Sequence, residues 1–341
     1  RAPESFNAVE RLCYTGTRGM GALEFIPMTG PEPAGSESLE VQELVTIASR
    51  VLAQRESMKV DFNAGNKEYA LRHILSVGTS AGGARAKAVI AWNPATNEVR
   101  SGQVATPGFE YWLLKFDGVS GNRDKELTDP KGYGAVEYAY YLMATAAGIT
   151  MAPCTLLEEN GRRHFMTKRF DRTKEGGKLH MQSLCAMAHL DFNNPGVHSY
   201  EEAMLTIRRL GLPMSALEQQ YRRMVFNLIA RNQDDHVKNI AFLMDRSGTW
   251  RLSPAFDVTY AYNPRGEWTS RHQMSVNGKR RGFTTEDLTA CAEATAIARS
   301  RVRAINDEVK EAVSRWPQFA AEAKLDSRWA DAIGATHRST L

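Results

Sequence analysis

The first half of the chain alternates apolar and polar residues in short runs, a pattern that predicts β-strands. Asn160-Gly161 lies between two such runs, and this dipeptide favours a tight hairpin turn. Residues 12–25 predict two further short strands around a glycine-rich turn. The other predicted strands are 87–92, 98–105, 111–116, 155–159 and 164–168.

The second half has mostly helical periodicity, with apolar residues three and four positions apart. We expect the helix over 215–231 to bury Leu217, Tyr221 and Met224 on one side, together with Leu228 and Ile229. The predicted helices are 39–55, 134–148, 200–210, 215–231, 286–297 and 301–316. The polar segment 117–131 predicts a mobile loop, and we expect the tail beyond Gly334 to be frayed. The pattern therefore predicts an α+β protein.

Residues 231–260 combine proton-handling groups with groups that can bind a metal. Asp234, Asp235, His236 and Asn239 precede a predicted hairpin, and Asp257 follows it. The Asp-x-x-x-x-Asn spacing of Asp234 and Asn239 is that of a protein-kinase catalytic loop, and Asp257 lies where a second metal-binding acid would follow. Three such residues alone are equally compatible with a polar surface loop or a stray divalent site. The interpretation as a phosphotransferase depends on Asn239, Asp257 and a lysine being counted together.

Lys115, inside the predicted strand 111–116, is the candidate lysine. A lysine in an apolar strand usually extends its ammonium group to the surface, whereas a kinase strand lysine binds the α- and β-phosphates of ATP. Glu137, in the first turn of the helix predicted at 134–148, could interact with the helix dipole or pair with Lys115. The sequence alone does not separate these roles.

A small-residue loop precedes the first predicted strand. Small residues allow backbone N–H groups to approach phosphate oxygens, and hydroxyl groups or Lys87 could add contacts. A tight turn between strands is the alternative that composition alone favours. The loop matches neither a Walker A motif nor Gly-x-Gly-x-x-Gly. Its candidate binding residues are Ser80, Gly82, Gly83, Ala84, Arg85 and Lys87.

Composition narrows the class of protein only slightly. The chain has 341 residues, 43% hydrophobic and 24% charged, with a formal net charge of +4. This charge permits contact with nucleic acid or an acidic partner without requiring it. The four cysteines are scattered without Cys-x-x-Cys spacing, which argues against a zinc site and a disulfide framework and fits a reducing cytoplasm. The chain begins with Arg1 and not with Met, which leaves open whether a segment precedes it, so the lack of a signal peptide carries little weight.

Several separated motifs together resemble the HipA family of bacterial serine/threonine kinases, the toxins of toxin–antitoxin pairs. The matching segments cover most of the chain in the expected order: 12–25, 80–87, 113–116, the helix at 134–148, 168–172, 226–239 and 252–260. The resemblance implies a bilobal, protein-kinase-like fold. Its β-rich N-terminal lobe would cover 1–167 and its helical C-terminal lobe 168–341.

The resemblance also implies roles for individual residues. Asp234 would be the catalytic base, Asn239 and Asp257 the Mg²⁺ ligands, and His236 a neighbour of the nucleotide. The loop Gly82 to Lys87, together with Lys115, would bind the phosphates of ATP, and Lys168 to Phe170 would form the hinge around adenine. Ser80 matches the serine that family members phosphorylate on themselves, although Ser76 and Thr79 lie close by.

Two features depart from the family pattern. Lys168 stands where an acidic residue is common, which puts side-chain contacts to adenine in question. Family members usually carry a small β-rich region ahead of the Leu12 motif. Its absence here implies either a shortened chain or a lineage in which that region is a separate chain.

The implied function is an ATP- and Mg²⁺-dependent protein kinase of the cytoplasm. Its substrate class would be a translation component such as an aminoacyl-tRNA synthetase. Its partner would be a DNA-binding antitoxin of HipB type, with DNA contacted only through that antitoxin. The alternatives are a small-molecule kinase and a catalytically silent nucleotide-binding module that acts with the antitoxin. Self-labelling on Ser80 would favour the protein kinase, and the joint presence of Lys115, Asp234, Asn239 and Asp257 argues against the silent module.

Overall fold

The chain divides into two compact units, each built from two separate stretches of sequence. The computed structural model describes residues 6–30, 38–53, 85–102, 107–119 and 132–338. The first unit comprises Arg1–Gly134 with Pro153–His180, and the second Ala135–Ala152 with Met181–Leu341. The sequence predicts a single boundary instead, between residues 167 and 168.

An antiparallel sheet dominates the described part of the first unit, with strand order β2-β1-β3-β5-β4. Asn160 and Gly161 between β4 and β5 both have positive φ, +44° and +71°, as the predicted two-residue hairpin turn requires. The strands are β1 (Lys87–Trp92), β2 (Val99–Ser101), β3 (Glu110–Lys115), β4 (Cys154–Glu159) and β5 (Arg162–Lys168). The strands predicted at 87–92, 111–116, 155–159 and 164–168 are confirmed. The strand predicted at 98–105 is confirmed over 99–101, and its residues 103–105 lie outside the described residues.

Helix α2 (Val41–Ala53) packs against this sheet. Its Leu44 and Val45 share one buried apolar cluster with Ile90 and Leu114 of the sheet. The helix predicted at 39–55 is confirmed over 41–53, and residues 54–55 lie outside the described residues. The predicted mobile loop at 117–131 falls mostly outside the described residues.

The prediction of two strands at 12–25 is wrong. Residues Ala8–Thr15 form helix α1, with a capping box between Asn7 and Glu10, and irregular turns follow. Side chains of the same unit bond the backbone there: Gly21 N–H donates to Asp171 Oδ2 at 2.7 Å, and Arg172 donates to Gly21 O at 3.1 Å and Gly19 O at 3.3 Å. These side chains satisfy groups that a neighbouring strand would otherwise have bonded.

Helix α3 (Tyr133–Ala146) confirms the helix predicted at 134–148, and the elements of the second unit follow it along the chain. A small sheet has strand order β6-β7-β8, with an antiparallel β7–β8 hairpin as expected. The strands are β6 (His180–Ser183), β7 (Ala241–Met244) and β8 (Trp250–Leu252). The helices are α4 (Leu184–Met187), α5 (Tyr200–Arg209), α6 (Met214–Ile229), α7 (Thr285–Ala294), α8 (Arg299–Ser314), α9 (Trp316–Glu322) and α10 (Ser327–Gly334).

Helix α6 lies in the core of the second unit. Tyr221, Met224 and Leu228 on it are fully buried, and Leu217 and Ile229 nearly so, as the periodicity predicts. Its neighbours in the cluster include Tyr140 of α3 and Ile305 of α8. A helix held on several sides gives a rigid base for the loop that begins at its C-terminal end.

The expectation that the chain frays beyond Gly334 is wrong for residues 335–338. The Arg338 N–H donates to Ile229 O at 2.9 Å, and the His337 ring packs edge-on against Trp316. Helices α9 and α10 were also not expected, because each is only one to two turns long and gives little periodicity. Within the part of the chain that the structure describes, no helix is long and apolar enough to cross a membrane.

Candidate functional site

The loop after α6 begins with an abrupt change of chain direction. Ala230 caps the helix, and Arg231 has a positive φ of +59°. Asn232 then donates from its backbone to Asn227 O at 3.1 Å and from its side chain to Asn227 Oδ1 at 3.0 Å. The Gln233 N–H donates to Ala261 O at 3.0 Å. The loop is therefore fixed by hydrogen bonds before it reaches Asp234.

Asp234 and Asn239 lie together, as their spacing predicts. A 3₁₀ turn over Val237–Asn239 folds the chain back, so that Asn239 Nδ2 donates to the Asp234 carbonyl at 2.9 Å. The Asp234 side chain is about half exposed, and its Oδ1 lies 3.8 Å from His236 Nε2. The carboxylate is accessible while its backbone is held in place.

Asp257 lines the same small pocket as His236 and Asn239, a cavity of about 30 Å³. Its φ of +53° is unfavourable for a residue with a side chain, and such strain concentrates at functional sites. The preceding segment is held on two sides, since Arg223 Nη2 donates to Ser253 O at 2.7 Å and Ala255 N–H donates to Thr150 O at 2.8 Å. The structure thus places the two expected metal ligands, Asn239 and Asp257, around one pocket together with His236.

The pocket also contains a buried arginine that the sequence analysis did not identify. Arg223 on α6 is 7% exposed, and burial lowers the pKa of its guanidinium to about 9. Arg223 Nε, Gln220 Oε1, Asn232 Oδ1 and His236 Nδ1 are all buried without a hydrogen-bond partner among the described residues. A pocket this small and this polar is suited to one or two bound waters.

Asp235 differs from the exposed Asp234 beside it. It is buried, and it accepts hydrogen bonds from Tyr200 Oη at 2.8 Å, His272 Nδ1 at 2.7 Å and the Gln273 N–H at 2.7 Å. Burial alone would raise the pKa of Asp235, but His272 and the other donors hold it below its ordinary value. Asp235 therefore anchors the loop from beneath. The sequence contained no signal for this role, because His272 lies 37 residues further along the chain.

Asn239 and Asp257 fit a Mg²⁺ site that is completed by other oxygen atoms. The Asn239 amide nitrogen is engaged with Asp234, which leaves its Oδ1 as the available atom, and Asp257 supplies a carboxylate. Among the described residues there is no group of three or more His, Cys, Asp or Glu that could hold a metal. Mg²⁺ in nucleotide enzymes typically uses one or two protein ligands, with phosphates and water completing the shell.

In the first unit, two buried lysines are directly opposite each other in the sheet. Lys87 of β1 and Lys115 of β3 are register partners, 4% and 7% exposed, so their side chains lie on one face. The Lys115 ammonium is 5.6 Å from the centre of the Phe165 ring, and the Arg85 guanidinium is 3.4 Å from that of Tyr133. Ser80, Gly82, Gly83 and Ala84 lie outside the described residues.

The expected adenine hinge at 168–170 forms an ion pair and backbone hydrogen bonds with other residues of the first unit. Lys168 Nζ forms an ion pair with Glu110 at 2.5 Å, an interaction that the sequence analysis did not anticipate. The Lys168 N–H donates to Pro153 O at 2.8 Å and the Arg169 N–H to Tyr111 O at 2.9 Å. Phe170 is half-buried. The side chain of Lys168 is thus paired with Glu110. An adenine ring would have to be bound by other groups of the segment 168–170.

Glu137 is buried in α3, at 1% exposure. Its placement in the first turn is wrong, because the helix begins at Tyr133 and has no acidic residue in its first turn. An interaction with the helix dipole is accordingly weaker than expected at this position. The ion pair with Lys115 stays a prediction.

The chain is similar in sequence and in fold to known proteins. A family model described as the HipA-like C-terminal domain matches residues 79–316. Two Sinorhizobium fredii proteins are similar in sequence: "Putative kinase Y4mE" is 25% identical over 63% of this chain and 57% of its own length, and "Putative kinase Y4dM" is 29% identical over 51% and 42%. The chain thus spans about half the length of these relatives.

A solved structure from Shewanella oneidensis MR-1 has the same fold. It is described as the toxin–antitoxin system HipA, HipB and operator DNA complex. Its TM-score is 0.67 at 18% identity, with 97% of this chain and 78% of that chain covered. At this identity the likeness is one of fold.

Proposed function

The chain belongs to the HipA-like C-terminal domain family, and on that premise we propose that it is an ATP- and Mg²⁺-dependent serine/threonine protein kinase. The observation that carries the proposal is the grouping of Asp234, Asn239 and Asp257 in one part of the second unit. Phosphoryl transfer needs a carboxylate for the attacking hydroxyl and oxygen ligands for Mg²⁺, and little covalent chemistry beyond that.

Asp234 is proposed to accept the proton of the attacking hydroxyl. Its carboxylate is exposed enough to reach a protein substrate, and Asn239 holds its backbone through a hydrogen bond of 2.9 Å. A fixed backbone with an accessible side chain orients the nucleophile without a reorganisation cost during the reaction. His236, 3.8 Å from Asp234, is proposed to lie beside the nucleotide.

Asn239 and Asp257 are proposed to hold Mg²⁺, which when bound neutralises charge on the phosphates. The strained backbone of Asp257 supports this role, because the surrounding hydrogen bonds maintain a conformation that an unconstrained aspartate would leave. Lys115 is proposed to bind the phosphates of ATP, with Lys87, Arg85 and the loop at 80–84 adding contacts. Two cationic side chains on one sheet face suit an anionic ligand.

The remaining assignments follow the family resemblance. The hinge Lys168 to Phe170 is proposed to contact adenine through its backbone and through Phe170, since the Lys168 side chain is paired with Glu110. Glu137 is proposed to orient Lys115, and Ser80 to be the site of autophosphorylation. The biological setting would be a toxin–antitoxin pair of the cytoplasm, with a DNA-binding antitoxin as partner and DNA contacted through it. The Shewanella structure, which contains HipB and operator DNA, supports such a partner. The substrate would be a translation component such as an aminoacyl-tRNA synthetase.

The proposal is tested by transfer of labelled phosphate from ATP in the presence of Mg²⁺. We expect the wild-type chain to label itself, and Asp234→Asn or Asp257→Ala to reduce the rate by about a thousandfold or more, because both remove groups that act in the transition state. Asp307→Asn, an exposed aspartate on α8, is the matched control and should label at the native rate.

Native labelling by either active-site variant would show that the role assignments are wrong. A wild-type chain that consumes ATP only when a small hydroxylated molecule is added, and never labels itself or another protein, would indicate a small-molecule kinase. A folded chain that binds ATP and shows no turnover with any acceptor would instead favour a silent binding module.

A further inference from the structure

The carbonyl groups at the C-terminal end of α6 are capped from distant parts of the chain. The last carbonyls of a helix have no partner within it. Here the Leu228 carbonyl accepts from Arg338 Nη1 at 2.5 Å, and the Ile229 carbonyl from the Arg338 N–H at 2.9 Å. The Ala230 carbonyl accepts from Tyr140 Oη at 2.5 Å. Two of three consecutive carbonyls are thus capped by one residue near the C-terminus.

His337 supports the third of these bonds. Its Nε2 lies 3.0 Å from Tyr140 Oη. Because that hydroxyl donates its proton to Ala230, the imidazole Nε2–H must be the donor to the hydroxyl oxygen. The ring also packs edge-on against Trp316, with centroids 5.3 Å apart. His337 therefore fixes the hydroxyl that caps Ala230.

Thr336 contacts the first residue of the loop beyond the helix. Arg231 Nε donates to the Thr336 carbonyl at 2.7 Å, and Arg231 Nη1 lies 3.3 Å from Gln233 Oε1. Arg231 has a left-handed backbone conformation, which an arginine adopts only when its surroundings enforce it. The Thr336 contact is one of the interactions that hold it.

Arg338 also reaches the underside of the loop. Its Nη1 is 3.4 Å from His272 Nε2, and His272 Nδ1 is 2.7 Å from the Asp235 carboxylate. Asp235 is the immediate neighbour of Asp234. Residues 336–338 consequently contact the first residue of the loop, Arg231. They also contact His272, which bonds the buried Asp235 of the loop.

We propose that residues 336–338, here called the C-terminal clamp, set the position of the loop that carries Asp234. The inference rests on the proposed kinase function, since the group being positioned is the proposed base. Thr336, His337 and Arg338 act through the end of α6, Arg231 and His272, so they are positioning residues. The rate of phosphate transfer therefore depends on residues 336–338 keeping their contacts with α6, Arg231 and His272.

The kinetic test compares Arg338→Met with Arg328→Met in the full chain. Arg328, ten residues earlier on α10, is exposed and makes a matched control. We expect Arg338→Met to lower kcat for phosphate transfer about tenfold with KM for ATP changed less than about twofold, because a displaced base slows chemistry without weakening nucleotide binding. Arg338→Lys, which keeps a cationic donor, should recover part of the loss. Native kcat in Arg338→Met would overturn the proposal.

Hydrogen exchange tests the clamp independently of activity. In the wild-type chain, the amides of Gln233, Asn239 and Arg338 should all exchange far more slowly than unstructured peptide. In Arg338→Met, exchange at Gln233 and Asn239 should accelerate at least tenfold while amides of the β7–β8 hairpin keep their rates. An Arg338 amide that exchanges at the unstructured rate in the wild-type chain would overturn the clamp.

The two measurements also separate this inference from the proposed function. If the wild-type chain transfers no phosphate to any acceptor, the kinase proposal fails while the exchange data still show whether the clamp holds the loop. If the wild-type chain is active and Arg338→Met matches Arg328→Met in both rate and exchange, the clamp proposal fails and the kinase proposal stands.

Discussion

Asp234 and Asp235 are adjacent in sequence and have opposite physical environments. The Asp234 side chain is about half exposed, whereas Asp235 is buried and accepts hydrogen bonds from three donors. A buried carboxylate that accepts three hydrogen bonds is costly to replace, because an amide puts a donor where one of its acceptor oxygens faced the donors around it. The same chemical change at these two positions should accordingly have different consequences.

We predict that Asp235→Asn lowers the free energy of unfolding by about 3 kcal/mol, because it removes the charge that is paired with His272 inside the protein. Asp234→Asn should change it by less than about 0.5 kcal/mol, since the Asp234 side chain is about half exposed to solvent. Urea unfolding of the two variants gives both values. Equal values for the two positions would contradict the anchoring role of Asp235.

The local part of the site could be predicted from sequence, and the long-range part could not. The spacing of Asp234 and Asn239 fixes a short loop, and the structure brings these two residues together. The bond from His272 to Asp235 joins residues 37 positions apart, and no local pattern indicates it. For the same reason, no local pattern indicates that Glu110 is the partner of Lys168.

At the scale of elements, the sequence predicts correctly those helices and strands whose local pattern is strong. The β4–β5 hairpin was predictable because alternation and the Asn-Gly turn agree. The segment at 16–24 has a strand-like sequence and forms no strand. Its backbone is bonded by side chains about 150 residues away, which no local pattern indicates. Helices α9 and α10 and the ordered residues 335–338 likewise depend on packing that periodicity does not record.

We predict that Arg172→Met loosens the segment at 16–24 without unfolding the sheet. The change removes the donors to Gly19 O and Gly21 O, while Arg169 continues to bond Asp171. Hydrogen exchange at the Gly21 amide should accelerate at least tenfold, whereas β3 and β5 amides should not change. Lys174→Met, at an exposed position, is the control. Unchanged exchange at Gly21 would mean that other contacts hold the segment.

At the scale of the whole molecule, His337 links folding stability to pH. Burial, with a smaller effect of Arg231, lowers the pKa of His337 from 6.5 to about 4. The unfolded chain therefore binds a proton at His337 as the pH falls below about 6.5, while the folded chain binds it only near pH 4. The contribution of His337 to stability is complete above pH 6.5 and is lost between these two values.

We predict that His337→Gln removes about 3 kcal/mol of the fall in unfolding free energy between pH 7 and pH 4, the amount that corresponds to this pKa difference. Unfolding curves of the wild-type and variant chains at both pH values give the comparison. Trp316→Phe, a neighbour that does not titrate, should lower stability equally at both. A variant whose pH dependence matches the wild type would show that His337 titrates normally in the folded chain.

The proposed activity of the molecule is phosphoryl transfer by the residues around Asp234, Asn239 and Asp257. The most direct measurement is the intact mass of the phosphatase-treated wild-type chain before and after incubation with ATP and Mg²⁺, with the modified residue mapped. We predict the gain of one phosphoryl group on a serine, Ser80 by the family resemblance, and no gain when the metal is chelated. A folded chain whose mass stays the same, and that transfers no phosphate to an added protein, would contradict the proposed kinase activity.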